Sequence, residues 1–152
     1  MFINWLGIGK ATYGNKGHYY GYFHNNKRHG DGLFMFPNKD RYSGAWKNSL
    51  KHGKGTYIID EVNIKLTGDW FEGRLLTGKW IMANGSVYDG EFHENKPNGK
   101  GVWTLSNGNK VEGEYTQEVL EKTTKPDPEN PVDPLTGLRL SLMWSTEKVS
   151  KA

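Results

Sequence analysis

Two histidines at equivalent positions of a repeating pattern are the first candidates for chemistry. His29 and His52 each precede a Gly-x-Gly motif and lie 23 residues apart. A zinc site needs three or four ligands, and the next unit has no histidine before its Thr77-Gly78 pair. The chain contains no cysteine, which removes thiolate ligands, Cys nucleophiles and disulfides. We therefore expect no metal site and interpret the histidines as packing residues in loops.

Paired carboxylates are the second candidates, because two acidic groups on one face can perform acid–base catalysis. Asp89 and Glu91 stand two residues apart, as do Glu112 and Glu114, so each pair shares one face of a strand. A solvated outer face explains this pattern better than catalysis does. The sequence holds neither a Gly-x-Ser-x-Gly motif nor a phosphate-binding loop. We predict a protein that is not an enzyme and needs no cofactor.

Composition narrows the class of protein further. Lys and Arg total 20 against 17 Asp and Glu, and a net charge of +3 over 152 residues is too weak for a nucleic-acid binder. The first residues lack the features of a signal peptide, and apolar runs are too short for a transmembrane helix. These features favour a cytoplasmic or cytoskeletal location.

The elements that must position these residues follow a repeat of 23 residues. Two interlocked glycine series run through the chain. One comprises Gly9, Gly32, Gly55, Gly78 and Gly101, and the other comprises Gly21, Gly44, Gly68, Gly90 and Gly113. Each glycine of the second series is followed two residues later by Phe, Trp or Tyr. The interval of 24 residues before Gly68 and of 22 residues after it indicates small insertions and deletions in turns. A fixed period of this kind is typical of repeat architectures.

Each unit reads as a β-hairpin. A first strand such as 42–46 places its Tyr, Gly and Trp on one face, and a second strand alternates aromatic and polar residues after a Gly-x-Gly corner. Turn signals such as Pro37-Asn38 and Asn84-Gly85 close the units. Glycine is costly inside a strand, so its recurrence suggests aromatic rings packed over the backbone or a sharp bend. The predicted fold is all-β, an elongated single-layer antiparallel sheet of consecutive hairpins.

The motifs resemble the MORN repeat family. Its pattern, Tyr-x-Gly-x-Trp/Phe followed by a polar loop and His-Gly-x-Gly, is matched by residues 19–32 and 42–55, and by 88–101 with Asn98 in place of His. The resemblance implies about four full repeats plus terminal half-repeats in a domain spanning residues 1–117. Residues 118–152 would form a proline-rich linker and a short apolar, strand-like tail. Leu138, Leu140, Leu142 and Trp144 alternate in that tail, which could cover the aromatic face, extend the sheet or dock on another protein.

Aromatic rings on one face of such a sheet are suitable anchors for a peptide or helix. The predicted partner-binding groove comprises Phe23, Trp46, Trp70, Trp80, Phe92 and Trp103. The alternative is that these rings only hold the repeats together. The predicted function is a non-enzymatic interaction and scaffold module whose partners are protein subunits of a large complex, with pairing of two copies left open.

Narrower hypotheses remain, and an accessory structural subunit of another large complex is one of them. The segment from Leu75 to Tyr115 is similar to radial spoke head proteins, which would imply a cytoskeletal, axonemal subunit of cilia. The competing hypothesis is a peripheral membrane adaptor, because basic residues recur in the loops: Lys27, Arg28, Lys47, Lys51, Lys54, Lys96 and Lys100. With only +3 overall, attraction to anionic lipid would be weak.

Overall fold

A computed structural model of the chain describes residues 6–119 and 140–152. Apart from one 3₁₀ turn, Gly14–Lys16, the regular elements in these ranges are strands. They are β1 Leu6–Thr12, β2 His18–His24, β3 Lys27–Met35, β4 Arg41–Lys47, β5 Leu50–Ile59, β6 Ile64–Phe71, β7 Arg74–Ile81, β8 Val87–His93, β9 Lys96–Thr104, β10 Lys110–Val119 and β11 Leu140–Ser150. All eleven form one sheet in which each strand lies beside its neighbours in sequence order, with antiparallel pairing as predicted.

Two kinds of turn alternate at the two ends of the strands. Inside each hairpin the strands are joined by two residues with positive φ, as at Asn25 (49°) and Asn26 (61°) or Glu94 (49°) and Asn95 (61°). Positive φ at both positions is the geometry that matches the twist of paired strands. Wider turns join successive hairpins, and the one after Met35 is closed by a hydrogen bond of 2.8 Å from the Phe36 amide to the Asp40 carbonyl.

The Gly-x-Gly motif lies inside the second strand, where the sequence suggested a corner between strands. In β2 and β3, Gly21 pairs with Gly32 whereas Phe23 pairs with Arg28, so the second strand carries two extra residues. This is a β-bulge, and Gly30 lies in it with φ 73°. The third hairpin has a smaller bulge, with Asp69 opposite Thr77 and Trp70 opposite Leu75. That smaller bulge explains why Leu76 can stand where the other units have glycine.

The glycines of both series form a single row across ten strands. Each pairs directly with the next, in the order Gly9, Gly21, Gly32, Gly44, Gly55, Gly68, Gly78, Gly90, Gly101 and Gly113. This arrangement, the glycine row, runs along the middle of the sheet. The hydrophobic core lies over it on one face, which we call the aromatic face.

Candidate functional site

Tyrosines cover the glycine row on the aromatic face. Tyr19, Tyr42 and Tyr88 are fully buried, and each ring lies where a side chain on the row glycines would be. A Cβ atom on Gly32 would overlap the Tyr19 ring, and one on Gly55 would overlap the Tyr42 ring. The rings therefore pack directly on the backbone, which is one of the two arrangements that the glycine pattern suggested.

Two tryptophans connect successive repeat units to each other. The Trp46 indole donates to the Gly32 carbonyl at 3.2 Å, and the Trp70 indole donates to the Gly55 carbonyl at 3.0 Å. Each also meets a tyrosine of the preceding unit edge to face, with ring centroids 5.5 Å apart for Tyr19 and Trp46 and 5.3 Å for Tyr42 and Trp70. Only 6% of Trp46 and 3% of Trp70 is exposed. Both are therefore part of the internal packing between units, which we call the spine of the array.

Two of the basic residues predicted to line the loops turn inward. Arg28 lies 4.6 Å from the Trp46 ring centroid and 4.9 Å from that of Phe34. The Lys51 ammonium lies 4.6 Å from the Trp70 ring and 4.8 Å from the Tyr57 ring. Burial lowers the pKa of Lys51 to about 8, whereas the ring faces favour the charged form and oppose that lowering.

A cleft of about 400 Å³ opens on the aromatic face at the third unit. There Leu66 stands in the place that Tyr19, Tyr42 and Tyr88 occupy in other units, and it lines the cleft. The lining is mainly apolar and comprises Phe36, Pro37, Asn38, Asp40, Tyr57, Ile59, Leu66, Trp70, Trp80, Asn95 and Lys96. The cleft has room for a foreign apolar side chain.

Asp40 fixes one rim of the cleft. Its carboxylate is buried and accepts hydrogen bonds from the Tyr57 hydroxyl at 2.9 Å, the Asn38 side-chain amide at 3.0 Å and the Asp60 backbone amide at 2.9 Å. These bonds tie the turn after β3 to the turn after β5. Asn95 and Lys96 also line the cleft.

Trp80 and Trp103 occupy equivalent positions 23 residues apart but differ in their bonding. The Trp103 indole donates to the Tyr115 hydroxyl at 3.1 Å. Trp80 would find the same acceptor at position 92, where Phe92 has no hydroxyl, and its buried indole nitrogen has no hydrogen-bond partner among the described residues. A buried donor without an acceptor destabilises the fold.

Replacing Phe92 with tyrosine (Phe92→Tyr) should supply that acceptor. We expect the free energy of unfolding to rise by about 1 kcal/mol, the usual net value of one intramolecular hydrogen bond, measured by urea denaturation. Phe71→Tyr is the matched control, because Phe71 is 49% exposed and its new hydroxyl would point to water. Equal stability of Phe92→Tyr and the wild type would contradict the assigned acceptor position.

The tail strand β11 extends the sheet beside β10. Trp144 packs against Tyr115 with ring centroids 4.8 Å apart and planes tilted by 53°, and it covers Gly113, since a Cβ atom there would lie 2.6 Å from the indole. Trp144 thus takes the role that Tyr has in regular units, because Val111 of β10 is too short for it. Leu142 is half-buried and Leu140 begins the strand, whereas Leu138 and the proline-rich segment 125–134 lie outside the described residues.

The six predicted groove aromatics share the aromatic face but are not equivalent. Trp46, Trp70 and Phe92 are buried within the chain itself, whereas Phe23, Trp80 and Trp103 are half-buried. Trp70 and Trp80 both line the cleft, and Trp103 lines a shallower pocket with Trp144. Sequence reasoning missed Leu66, Ile59 and Asp40 as lining residues. The break in the tyrosine series at Leu66 was the signal that could have located the cleft.

The residues first considered for chemistry were the histidines and the paired carboxylates. Among the described residues, no group of three or more His, Asp and Glu side chains could hold a metal ion. His52 packs against Phe71 with centroids 5.4 Å apart, and Asp89 lies 3.7 Å from Lys79 on the other face of the sheet. Within the described ranges, no helix has the length and apolar character to span a membrane.

The fold and the aromatic face define a repeat protein built from consecutive hairpins, each resting on its neighbours. The family model of the MORN repeat matches three segments, residues 19–41, 42–59 and 88–110. These three segments are similar to MORN repeats, and residues 60–87, which lie between the matched segments, include Leu66, Leu76 and the smaller bulge. No curated protein matches the chain. Repeats of this family suggest a protein-interaction or membrane-binding role, and the family is generally non-enzymatic.

Proposed function

We propose that the chain is a non-enzymatic scaffold module that binds a segment of a partner protein on its aromatic face, centred on the cleft at Leu66. The cleft is the observation that carries this proposal. It is walled by rings that the fold already holds in place, so a partner would pay little entropy to order them. Its volume of about 400 Å³ falls in the range of specific binding pockets. An apolar side chain on an extended or helical partner segment fits this chemistry.

Filling the cleft without removing a spine residue tests the proposal. Leu66→Tyr introduces the residue found at this point in three other units, and its ring should occupy part of the cleft that Leu66 lines. We expect a tagged full-length chain to capture specific proteins from its native cell, and Leu66→Tyr to lose them while keeping its circular dichroism spectrum. Tyr20→Ala is the matched control, because Tyr20 is 58% exposed on the other face.

Unchanged capture by Leu66→Tyr would contradict the proposal. Trp46→Ala and Trp70→Ala are poor probes for this purpose. Their indoles are buried and bonded to the backbone, so either change would damage the fold as well as the surface.

Lipid binding is the alternative, and the placement of the basic residues favours it less. Arg28 and Lys51 lie against rings, and Lys54 pairs with Asp69 at 2.7 Å. We expect co-sedimentation with anionic liposomes to be weak at low salt and to be lost at physiological salt, because isolated exposed lysines are screened. Binding that survives physiological salt, with neutral liposomes as the control, would favour the membrane hypothesis over ours.

A narrower assignment, to a radial spoke head subunit of cilia, rests on the sequence similarity of 75–115 alone. The structure supports it only in that a single sheet with an open aromatic face suits a brace between neighbouring subunits. Localisation of the tagged chain in ciliated cells tests this assignment. A diffuse cytoplasmic signal that leaves the axoneme unlabelled would contradict it.

A further inference from the structure

Gly9 is the one member of the glycine row whose glycine identity the described residues do not require. Elsewhere in the row, an added Cβ would lie under 3.0 Å from a ring or from the backbone of a neighbouring strand. At Gly9 it would meet only two carbons of the Phe23 ring, at 3.4 Å, and the φ angle of Gly9 is not in the left-handed region. Gly9 lies in β1, which is the edge strand and pairs with β2 alone among the described strands.

The alternation of close and wide pairs on the two sides of an antiparallel strand predicts which kind of pair Gly9 can form on its open side. A residue that makes a close pair with one neighbour makes a wide, hydrogen-bonded pair with the other. Pairs inside a hairpin are the close ones, since a Cβ on Gly68 would lie 2.6 Å from the Gly78 Cα, and one on Gly21 would contact the Gly32 Cα. Because Gly21 pairs closely with Gly32, its pair with Gly9 is the wide one. The outer side of β1 therefore offers a close-pair position at Gly9.

We propose that β1 pairs with β1 of a second copy of this chain, around a two-fold axis that places Gly9 opposite Gly9 of the second copy. This register supplies glycine on both sides of a close pair, as in the hairpins. It also places Gly7 opposite Ala11 of the second copy, so small residues meet along the aromatic face. Both aromatic faces then lie on the same side, and the glycine row continues unbroken through both copies. The groove stays free, so this pairing stands independently of the proposed function.

The opposite edge of the sheet does not offer the same site. The row ends at Gly113, where the pairing with β11 is shifted by a bulge and Thr146 stands across. Trp144 covers Gly113 from above. A strand added beyond β11 would meet no row glycine, whereas one added beyond β1 would. Ile8, which is 56% exposed, would lie opposite Lys10 of the second copy on the other face.

Disulfide trapping between two single variants tests the register, because the chain has no cysteine of its own. In the proposed pair, position 8 of one copy is directly opposite position 10 of the other, whereas 8 and 8, or 10 and 10, are diagonal. Directly opposite Cβ atoms lie about 4.5–5.5 Å apart and diagonal neighbours about 7–8 Å apart, and a disulfide needs about 3.5–4.5 Å. We expect an equal mixture of Ile8→Cys and Lys10→Cys to cross-link about tenfold faster than either variant alone.

Two further arms complete the experiment. Adding Gly9→Val to both variants should return the mixture to the rate of the single variants, and urea denaturation of each chain measures separately the contact of the new side chain with the Phe23 ring. Ser145→Cys, mixed with Ile8→Cys, reports on pairing between β1 and β11. Equal rates for the mixture and the single variants would overturn the proposal, as would faster cross-linking of Ile8→Cys with Ser145→Cys.

Discussion

Gly44→Ala is expected to destabilise the folded sheet strongly. Its Cβ would overlap the Gly55 Cα and lie 2.6 Å from the Lys54 carbonyl oxygen and 2.9 Å from the Tyr42 hydroxyl. Two of these contacts are backbone, which can move only if the sheet opens. Overpacking a core usually costs 1–3 kcal/mol, and we expect at least about 3 kcal/mol here because the obstructing atoms are backbone. That is a large share of the roughly 5–15 kcal/mol that stabilises a typical domain.

Gly9→Ala is the matched control for this prediction. It makes the same chemical change in the same row, but its Cβ meets only the Phe23 ring, at 3.4 Å. We expect its free energy of unfolding to stay within about 0.5 kcal/mol of the wild type. Urea denaturation followed by tryptophan fluorescence measures both variants. If the two changed stability equally, steric exclusion in the glycine row would not be the reason for its glycines.

Lys51→Met is expected to raise stability near neutral pH and to remove part of its pH dependence. Burial lowers the pKa of Lys51 from 10.5 to about 8 in the folded chain. Between about pH 8 and 10.5 the unfolded chain therefore holds more protons than the folded one, and the stability of the wild type rises with pH across that window. Below pH 8 the folded chain carries the full cost of burying the charge.

The size of this effect depends on the aromatic rings around the ammonium. Each pKa unit corresponds to about 1.4 kcal/mol, so the lowered pKa alone would cost about 3 kcal/mol. The cation–π contacts of Lys51 with Tyr42, Tyr57 and Trp70 offset part of that cost. We expect Lys51→Met to be more stable than the wild type by about 1–3 kcal/mol at pH 7, and the difference to shrink toward pH 10.

Urea denaturation of both chains at pH 7, 8.5 and 10 measures this difference. Lys54→Met is the control, because Lys54 is exposed beside Asp69 and its loss should shift stability by less than about 1 kcal/mol at each pH. Above pH 10 all chains should lose stability, because burial raises the pKa values of Tyr19 and Tyr88 to about 12 and the folded state resists their ionisation. Parallel pH profiles of Lys51→Met and the wild type would contradict a charge buried at Lys51.

The repeating elements were predictable because their constraints are local. Tyr42, Gly44 and Trp46 lie within five residues, and the period of 23 repeats the same strand and turn chemistry. The all-β sheet of antiparallel hairpins follows from that pattern and is confirmed. The position of the Gly-x-Gly motif inside the strand was harder to predict, because a glycine at positive φ suits a bulge as well as a corner.

Features that depend on packing between units were not predictable in the same way. The sequence predicts a loop position for Lys51. Its inward orientation depends on contacts with the rings of Tyr57 and Trp70. The cleft lies where Leu66 interrupts the tyrosine series, and a search for shared features overlooks such an interruption. The place of β11 was left open between three arrangements, because the contact of Trp144 with Tyr115 joins segments 29 residues apart.

The irregular third unit has a consequence for folding. Near-identical hairpins can pair in the wrong order, with a strand displaced by one whole repeat, and such a displaced sheet would still match glycine with glycine. Misassembly of this kind is a common failure of repeat proteins. In this chain, the smaller bulge at Trp70 and the altered segment lengths around Gly68 make the central hairpin a poor substitute for its neighbours. The third unit therefore marks one place in the array at which a displaced pairing is penalised, and so favours a single strand order.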